Sequence, residues 1–192
     1  MHTEYEVRIL EIDVDSIKKK LDEVGATFEW DRVQKRYVYD FIPKVDSKWI
    51  RLRTNGIKTT LTIKDLVTSK IDGTRELEIE VDDFLNTNKI LEELGYTPRN
   101  YQENRRIQYK LDGVEIDIDS WPMIPTYLEI EGSSEEEVYK IVEKLGYKLE
   151  DTTTRDVEGI YNDYGYDVLE INDLRLEEER KWSFLKNYNG EV

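Results

Sequence analysis

The stretch that decides the fold is EYEVRIL, residues Glu4 to Leu10, in which polar and apolar side chains alternate. Successive side chains of a β-strand point to opposite faces, so this pattern predicts a half-buried strand. Its polar face carries Glu4, Glu6 and Arg8, whereas the opposite face is apolar or aromatic. This mixed acidic and basic face is the feature that the rest of the sequence repeats.

The same alternation recurs along the chain in short segments separated by turn residues. A stretch rich in aromatic and β-branched residues, Phe28 to Phe41, is the second predicted strand. Further strands are predicted at Trp49 to Arg53, Thr59 to Lys64, Arg75 to Val81, Asn104 to Leu111, Val114 to Asp119 and Tyr127 to Glu131. Asn55-Gly56 and Asp112-Gly113 are typical hairpin turns between such strands. About eight antiparallel strands, each with one polar face, favour a closed or nearly closed β-barrel.

Helices are predicted between or after these strands, from apolar residues at helical spacing. Their predicted starts are Asp13 or Asp15, Phe84, and Ser133 or Ser134. Beyond about Thr152 the pattern changes to a short helix that ends at Gly165, followed by an acidic tail. We therefore predict an α+β fold, with an eight-stranded antiparallel β-barrel and flanking helices at residues 1–150. Residues 151–192 are predicted as a short helical appendage that packs on the barrel and frays at its end.

The composition excludes several kinds of function. The chain has 192 residues with 43 acidic and 28 basic side chains, which give a formal net charge of −15. Such a surface repels phosphates at long range, so we expect no nucleic-acid partner and no binding to anionic membranes. With no cysteine and with His2 as the single histidine, thiolate metal sites and Ser-His triads are excluded. No apolar segment is long enough to span a bilayer, and we expect a cytoplasmic protein.

Closure of the barrel would change the meaning of the polar strand faces. In an open sheet, a polar face in contact with water needs no function. In a closed barrel, one face of every strand points inward, and buried charges are costly unless they are paired or bound to a ligand. The basic candidates for this interior are Arg8, Arg51, Arg53, Lys64 and Arg105 or Arg106. The acidic candidates are Glu4, Glu6, Asp117 or Asp119, Glu129 and Glu131.

These two sets of side chains predict complementary chemistry. Arginine and lysine bind phosphate oxygens, and carboxylates hold hard divalent cations such as Mg²⁺ or Mn²⁺. Both belong in one cavity when the ligand is a complex of a cation with a polyphosphate chain. Since the sequence contains no Walker A motif, glycine-rich dinucleotide loop or EF-hand loop, the predicted phosphate site is of another kind.

In this order, the motifs resemble those of the CYTH superfamily, the triphosphate tunnel enzymes, over roughly residues 1 to 150. The matching motifs are Glu4-x-Glu6-x-Arg8, Arg51-x-Arg53, Thr62-x-Lys64, Glu78-x-Glu80, Arg105-Arg106, Asp117 with Asp119, and Tyr127 to Glu131. The similarity is nearest to the bacterial branch that resembles class IV adenylyl cyclases. The resemblance implies an eight-stranded antiparallel tunnel, a triphosphate substrate and dependence on Mg²⁺ or Mn²⁺.

The resemblance also implies roles for individual residues. The catalytic candidates are Glu4, Glu6, Lys64 and Glu131. The phosphate-binding candidates are Arg8, Arg51, Arg53, Lys64, Arg105 and Arg106. The metal-binding candidates are Glu4, Glu6, Asp117, Asp119, Glu129 and Glu131, where Asp117 replaces Asp119 if the strand register shifts.

Two features depart from the pattern of the family. Its opening strand usually ends in lysine, where this chain has Arg8, which can clamp a phosphate but cannot act as a base. A loop at residues 120–126 replaces the short glycine-containing turn found before the last strand of many class IV cyclases. Trp121 and Met123 in this loop either stack on a base at the mouth of the tunnel or cover one end of the barrel.

The implied reaction is attack on a bound triphosphate by one of two nucleophiles. Water would make the protein a hydrolase of tripolyphosphate, of a nucleoside triphosphate or of thiamine triphosphate. The ribose 3′-hydroxyl would instead convert ATP into cyclic AMP. The alternative from another class is a catalytically silent regulatory module that binds nucleotide or polyphosphate. The acidic segment Glu177 to Lys181 is predicted as a solvated helical face or as a contact that forms a homodimer.

Overall fold

The computed structural model describes residues 1–176 and confirms the predicted α+β barrel. The strands that form the barrel are β1 (His2–Ile9), β2 (Thr27–Asp40), β3 (Lys48–Thr54), β4 (Thr59–Leu66), β5 (Thr74–Glu80), β6 (Asn100–Leu111), β7 (Val114–Ser120) and β8 (Tyr127–Gly132). Their order is β2-β3-β4-β5-β1-β8-β7-β6, and antiparallel pairing of β2 with β6 closes the sheet on itself.

Strand β6 begins earlier than the alternation of the sequence predicts. The predicted start is Asn104, whereas the strand begins at Asn100 and pairs with β2 along nearly its whole length. Gln102 and Asn104 are buried inside the fold, and the neighbouring Glu103 on the other face is buried as well. Polar side chains occupy both faces here, and Tyr101 is the single aromatic residue between Asn100 and Asn104, so alternation gives little signal for this part of the strand.

Helices cover the outside of the barrel. They are α1 (Val14–Glu23), α2 (Phe84–Glu93) and α3 (Glu135–Lys144). Asp13, Asp83 and Ser134 cap their N-termini by accepting a backbone N–H of the first turn. The observed caps therefore decide for Asp13 over Asp15 and for Ser134 over Ser133. Within residues 1–176, no helix combines the length and the apolar character needed to cross a membrane.

The main apolar core lies between the outer face of the barrel and helices α1 and α3. Val7, Ile116 and Ile130 of the strands pack in one buried cluster with Leu21 of α1 and Ile141 of α3. A separate cluster joins α2 to the outer face of β2 and β3. Because the strands direct their apolar side chains outward beneath the helices, their polar side chains point into the barrel.

The segment after α3 covers one end of the barrel. It contains α4 (Val157–Asp163) and a two-residue strand, β9 (Asp173–Leu174), which pairs in parallel with β6. Ile160 and Tyr161 of α4 pack with Trp121 in a buried cluster. Strand β9 is too short to leave an alternation pattern, so the sequence does not predict it. The acidic face at residues 177–181 and the frayed end, both predicted above, lie outside the described residues.

Candidate active site

A cavity of about 880 Å³ runs through the barrel, and every strand from β1 to β8 contributes side chains to its wall. One end is bordered by Lys44 of the β2–β3 loop and Glu158 of α4, and the other by Asn55 of the β3–β4 turn. Most of the predicted site residues face this cavity. They are Glu4, Glu6, Arg8, Arg51, Arg53, Lys64, Arg106, Glu129 and Glu131.

Three carboxylates converge on one wall of the cavity, where β1 and β8 lie side by side. Glu6 pairs in register with Glu131, and Glu129 lies two residues earlier on β8, opposite Arg8. The oxygens of Glu6, Glu129 and Glu131 lie within 4.8 Å of one another. Carboxylate oxygens are the hard ligands that Mg²⁺ and Mn²⁺ prefer, so this group of side chains, the glutamate trio, fits a divalent cation.

Two members of the glutamate trio differ in protonation. Burial raises the pKa of Glu131 to about 8, and the charges of Glu4 and Glu6 act in the same direction. Burial also acts to raise the pKa of Glu129, but Arg8 and Arg106 outweigh it and lower this pKa well below its usual value. Glu129 is therefore a fixed negative charge, whereas Glu131 carries a proton at neutral pH that a bound cation would displace.

Arg8 ties two members of the glutamate trio together. Its Nε donates to Glu129 at 2.7 Å, and its Nη2 donates to Glu6 at 2.8 Å. Its Nη1 donates to the backbone carbonyl of Arg155 at 2.8 Å, in the segment that covers the end of the barrel. All three bonds use the rigid fork of a guanidinium, so both carboxylates are held in fixed positions.

Asp117 and Asp119 of β7 are buried, and both bind Arg106. Arg106 donates to Asp117 at 2.6 Å, to Asp119 at 2.5 and 2.8 Å, and to Glu129 at 2.8 Å. The two aspartates are predicted above as metal ligands, but among the described residues the converging ligand set is the glutamate trio. The structure thus places them where they orient a guanidinium that faces the cavity.

On the other side of β1, Lys64 joins Glu4 to a carboxylate that the sequence interpretation omits, Glu76. The Nζ of Lys64 lies 3.0 Å from Glu4 and 2.8 Å from Glu76. The motif comparison selects Glu78 and Glu80 on β5, whereas Glu76 and Glu78 line the cavity and Glu80 is exposed. Thr74, at the start of β5, lines the cavity. Strict alternation from Thr74 would have identified Glu76 as the next side chain to face the cavity.

Arg51 and Arg53 on β3 have looser ion pairs than Arg8 and Arg106. The guanidinium of Arg51 is 3.6 Å from Glu76 and from Glu78, and that of Arg53 is 3.9 Å from Glu78. Burial and repulsion by Arg51 and Arg106 together lower the pKa of Arg53 to about 10. These long contacts leave the donors of β3 available to a phosphate ligand.

Arg105 lies outside the cavity, unlike the other predicted phosphate-binding residues. Its guanidinium donates to Asp31 at 2.6 and 2.8 Å, and its side chain is 53% exposed. Adjacent residues of a strand point to opposite faces, so the inward position of Arg106 places Arg105 on the outer surface. The assignment of Arg105 to the tunnel is therefore corrected.

The loop before β8 covers one end of the barrel. Trp121 is 5% exposed and contacts Tyr161 edge to face, with ring centroids 6.3 Å apart. The guanidinium of Arg36 lies 4.5 Å from the centroid of the Trp121 ring, while Met123 is half exposed. Of the two interpretations of this loop, the structure supports the one in which the loop covers an end of the barrel. Arg36 lines the cavity but is missing from the predicted site, because β2 is identified in the sequence by its aromatic residues.

Solved structures with the same fold come from archaea, bacteria and plants. The PH1012 protein of Pyrococcus horikoshii is 27% identical, with a TM-score of 0.69 over 82% of this chain and 98% of that chain. A Vibrio parahaemolyticus protein described as a candidate adenylate cyclase is 14% identical, with a TM-score of 0.71 over 84% and 98% of the two chains. A Hippeastrum protein described as a candidate adenylyl cyclase with dominant triphosphatase activity is 15% identical, with a TM-score of 0.57 over 89% and 100%.

No curated protein shows significant sequence similarity to this chain. The CYTH domain, in contrast, matches residues 2–156, which include all eight barrel strands and the whole glutamate trio. The match agrees with the closed antiparallel barrel and its charged interior. The chain belongs to the CYTH domain family.

Proposed function

We propose that the protein is a divalent-metal-dependent enzyme that hydrolyses a phosphoanhydride bond of a triphosphate bound in the barrel cavity. The observation that carries this proposal is the contact of the glutamate trio with two arginines. Arg8 and Arg106 both bind Glu129, at 2.7 and 2.8 Å. A cation site and phosphate donors thus share one side chain, as binding of a cation–triphosphate complex requires.

The basic side chains of the cavity would bind the phosphate chain. Arg8, Arg51, Arg53, Lys64 and Arg106 come from four different strands and face a common space. A triphosphate carries several charges along a short chain, and guanidiniums bind two of its oxygens at once. The looser pairs of Arg51 and Arg53 would exchange a carboxylate for a phosphate at the smallest cost.

The glutamate trio would hold the cation. When bound, Mg²⁺ or Mn²⁺ supplies charge neutralisation at the phosphates and polarises their phosphorus–oxygen bonds. Glu129 and Glu6 are held ready by Arg8, and Glu131 would exchange its proton for the cation.

Glu4 is the candidate for accepting a proton from the attacking water. Burial, only partly offset by Lys64, raises the pKa of Glu4 to about 7. A carboxylate with such a pKa is a much better base at neutral pH than an ordinary one. Lys64 donates to Glu4 at 3.0 Å and would keep the carboxylate oriented, while Arg8 and Arg106 would stabilise the charge that develops on the phosphate.

Cyclisation of ATP is the second candidate reaction. Trp30 and Trp49 line the cavity and offer aromatic surface to an adenine base. The same phosphate and cation sites would serve, since the outcome depends on which oxygen lies in line with which phosphorus.

Product analysis by phosphorus NMR tests the proposal. The protein is incubated with tripolyphosphate and, separately, with ATP, in each case with Mg²⁺, with Mn²⁺ or with a chelator. Orthophosphate released from tripolyphosphate in the presence of a cation is the expected result. Formation of pyrophosphate and cyclic AMP from ATP would support cyclisation and contradict hydrolysis. Tight binding without any product would indicate a catalytically silent binding module. Glu129→Gln is the control for activity from a contaminating phosphatase.

A further inference from the structure

Arg36 of β2 is a buried arginine of the cavity wall that has no acidic partner among residues 1–176. Its side chain is 6% exposed. Its Nη2 donates to the side-chain oxygens of Gln34, at 3.0 Å, and of Asn104, which are both neutral groups. Its Nε is buried without a hydrogen-bond partner. In the described part of the chain, no carboxylate oxygen lies within the 4.0 Å of an ion pair with this guanidinium.

The surroundings of Arg36 are positively charged. Arg36 lies directly opposite Arg53 in the register of β2 and β3. Burial together with repulsion by Arg53, Arg51 and Arg106 lowers the pKa of Arg36 well below its usual value, and the attraction of Asp119 offsets this only in part. A buried cation among like charges destabilises the free protein, so its presence needs an explanation other than folding.

The contacts that hold Arg36 in place are those of an anion site. The ring of Trp121 supports the guanidinium from one side at 4.5 Å, which orients it without neutralising it. Within residues 1–176, the buried cavity-lining groups without a hydrogen-bond partner include three further donors, Nε of Arg51, Nε1 of Trp121 and the hydroxyl of Tyr127, as well as one acceptor, Oε2 of Glu76. Donors buried in this way are satisfied by a ligand that offers acceptor oxygens.

We propose that Arg36 is a further phosphate-binding residue, which together with Arg53 binds a phosphate group of the substrate. This inference rests on the proposed function, because it assigns the ligand of the same cavity. A phosphate supplies several acceptor oxygens and negative charge to a place that lacks both. Trp121 and Asn104 act as positioning residues, since one supports the plane of the guanidinium and the other accepts one of its N–H groups.

Binding of tripolyphosphate to the full chain, measured by calorimetry in the presence of a chelator, tests this inference without turnover. We expect Arg36→Gln to weaken binding about tenfold to hundredfold relative to the unmodified protein, the range of a lost charge-assisted contact. Arg105→Gln removes the same charge from the outer surface and serves as the matched control, with unchanged affinity. Without ligand, Arg36→Gln should melt at the same temperature as the unmodified protein or higher, because a buried repulsive charge is gone. Tripolyphosphate should raise that temperature less than in the unmodified protein.

The possible results separate the inference from the proposed function. Unchanged affinity of Arg36→Gln, with binding by the unmodified protein, would overturn the role of Arg36 alone. No binding of tripolyphosphate by the unmodified protein in the chelator would overturn this inference, whereas orthophosphate release in the presence of a cation would still support the proposed function. If Arg36→Gln does not fold, Arg36→Lys replaces it. Lysine keeps the charge but loses the fork, so a severalfold weakening supports the role of Arg36 and unchanged affinity overturns it.

Discussion

The acidic wall and the basic wall of the cavity show the same kind of repulsion with opposite sign. On the acidic wall, formed by β1 and β8, burial and neighbouring carboxylates raise the pKa of Glu131 to about 8. On the basic wall, formed by β2 and β3, burial and neighbouring guanidiniums lower the pKa of Arg53 to about 10. Each wall therefore holds like charges closer together than the free protein favours.

The opposite charges of the two walls indicate which part of the ligand each wall binds. A cation relieves the repulsion on the acidic wall, and phosphate groups relieve it on the basic wall. Arg8 of β1 and Arg106 of β6 differ from the basic wall, because they are satisfied in the free protein by the carboxylates of Glu6, Glu129, Asp117 and Asp119. Perturbed charges of this kind are typical of functional sites, where binding of the ligand compensates for the strain.

The largest effect should follow from breaking the acidic wall. Glu129→Gln together with Glu131→Gln removes two members of the glutamate trio at nearly constant volume. We expect metal-dependent turnover to fall by at least about a hundredfold, because the ligands themselves are lost. Steady-state kinetics measures the loss, and circular dichroism checks that the fold persists. Full activity in the folded double variant would contradict the assignment of the cation site.

Removal of one arginine from the basic wall should reduce activity less than the loss of two members of the glutamate trio. Arg53→Ala removes one charge-assisted contact, worth about 1.5–3 kcal/mol. We expect kcat/KM for the triphosphate to fall by about tenfold to 150-fold. The readout is the rate as a function of substrate concentration, compared with Arg105→Ala, whose side chain lies outside the cavity. An equal rate for both variants would show that the basic wall does not contact the substrate.

Cation binding on the acidic wall should depend on pH, since Glu131 releases its proton when a cation binds. At pH 7 we expect Mg²⁺ binding to release protons, and to strengthen as the pH approaches the pKa of about 8. Calorimetry in buffers of different ionisation enthalpy measures the released protons, and Glu131→Gln should release fewer. Proton release that is identical in the variant would assign the titration to another group.

The same group makes a prediction for the stability of the metal-free protein. The pKa of Glu131 is about 8 in the folded chain and 4.5 for an ordinary glutamate, so the folded state binds more protons between these values. The stability from this group is complete below pH 4.5 and is lost as the pH rises to about 8. Melting curves should therefore show that Glu131→Gln removes part of the decline of stability with rising pH.

The smallest effect is expected on the outer surface of the barrel. Arg105→Gln breaks an exposed ion pair with Asp31, and such pairs contribute about 0.2–1 kcal/mol. Activity should stay within about twofold and the melting temperature should change little. A large loss of activity would place Arg105 in the site after all.

Alternation along the strands could be read directly from the sequence. EYEVRIL already shows that Glu4, Glu6 and Arg8 share a face, and the structure places all three at the cavity. The same rule applied to adjacent residues would have excluded Arg105 once Arg106 was assigned inward. Where polar residues occupy both faces of a strand, as from Asn100 to Asn104 with Tyr101 as the single aromatic residue, alternation carries little signal and the start of β6 is missed.

By itself, the sequence determined the order of the barrel strands and main helices and the polar inner faces, because each depends on residues close together in the chain. Only the tertiary structure decided which charges meet across the barrel. Arg106 binds Asp117 and Asp119, Lys64 binds Glu76, and within the described residues Arg36 has no carboxylate partner. The pairs of Arg106 and Lys64 depend on the register of neighbouring strands, whereas barrel formation also brings together residues 60 or more positions apart, as in the bonds between Lys64 and Glu4 and between Arg8 and Glu129. The physical reason is that desolvation and Coulomb energies depend on distance in space, which the local pattern of a sequence does not contain.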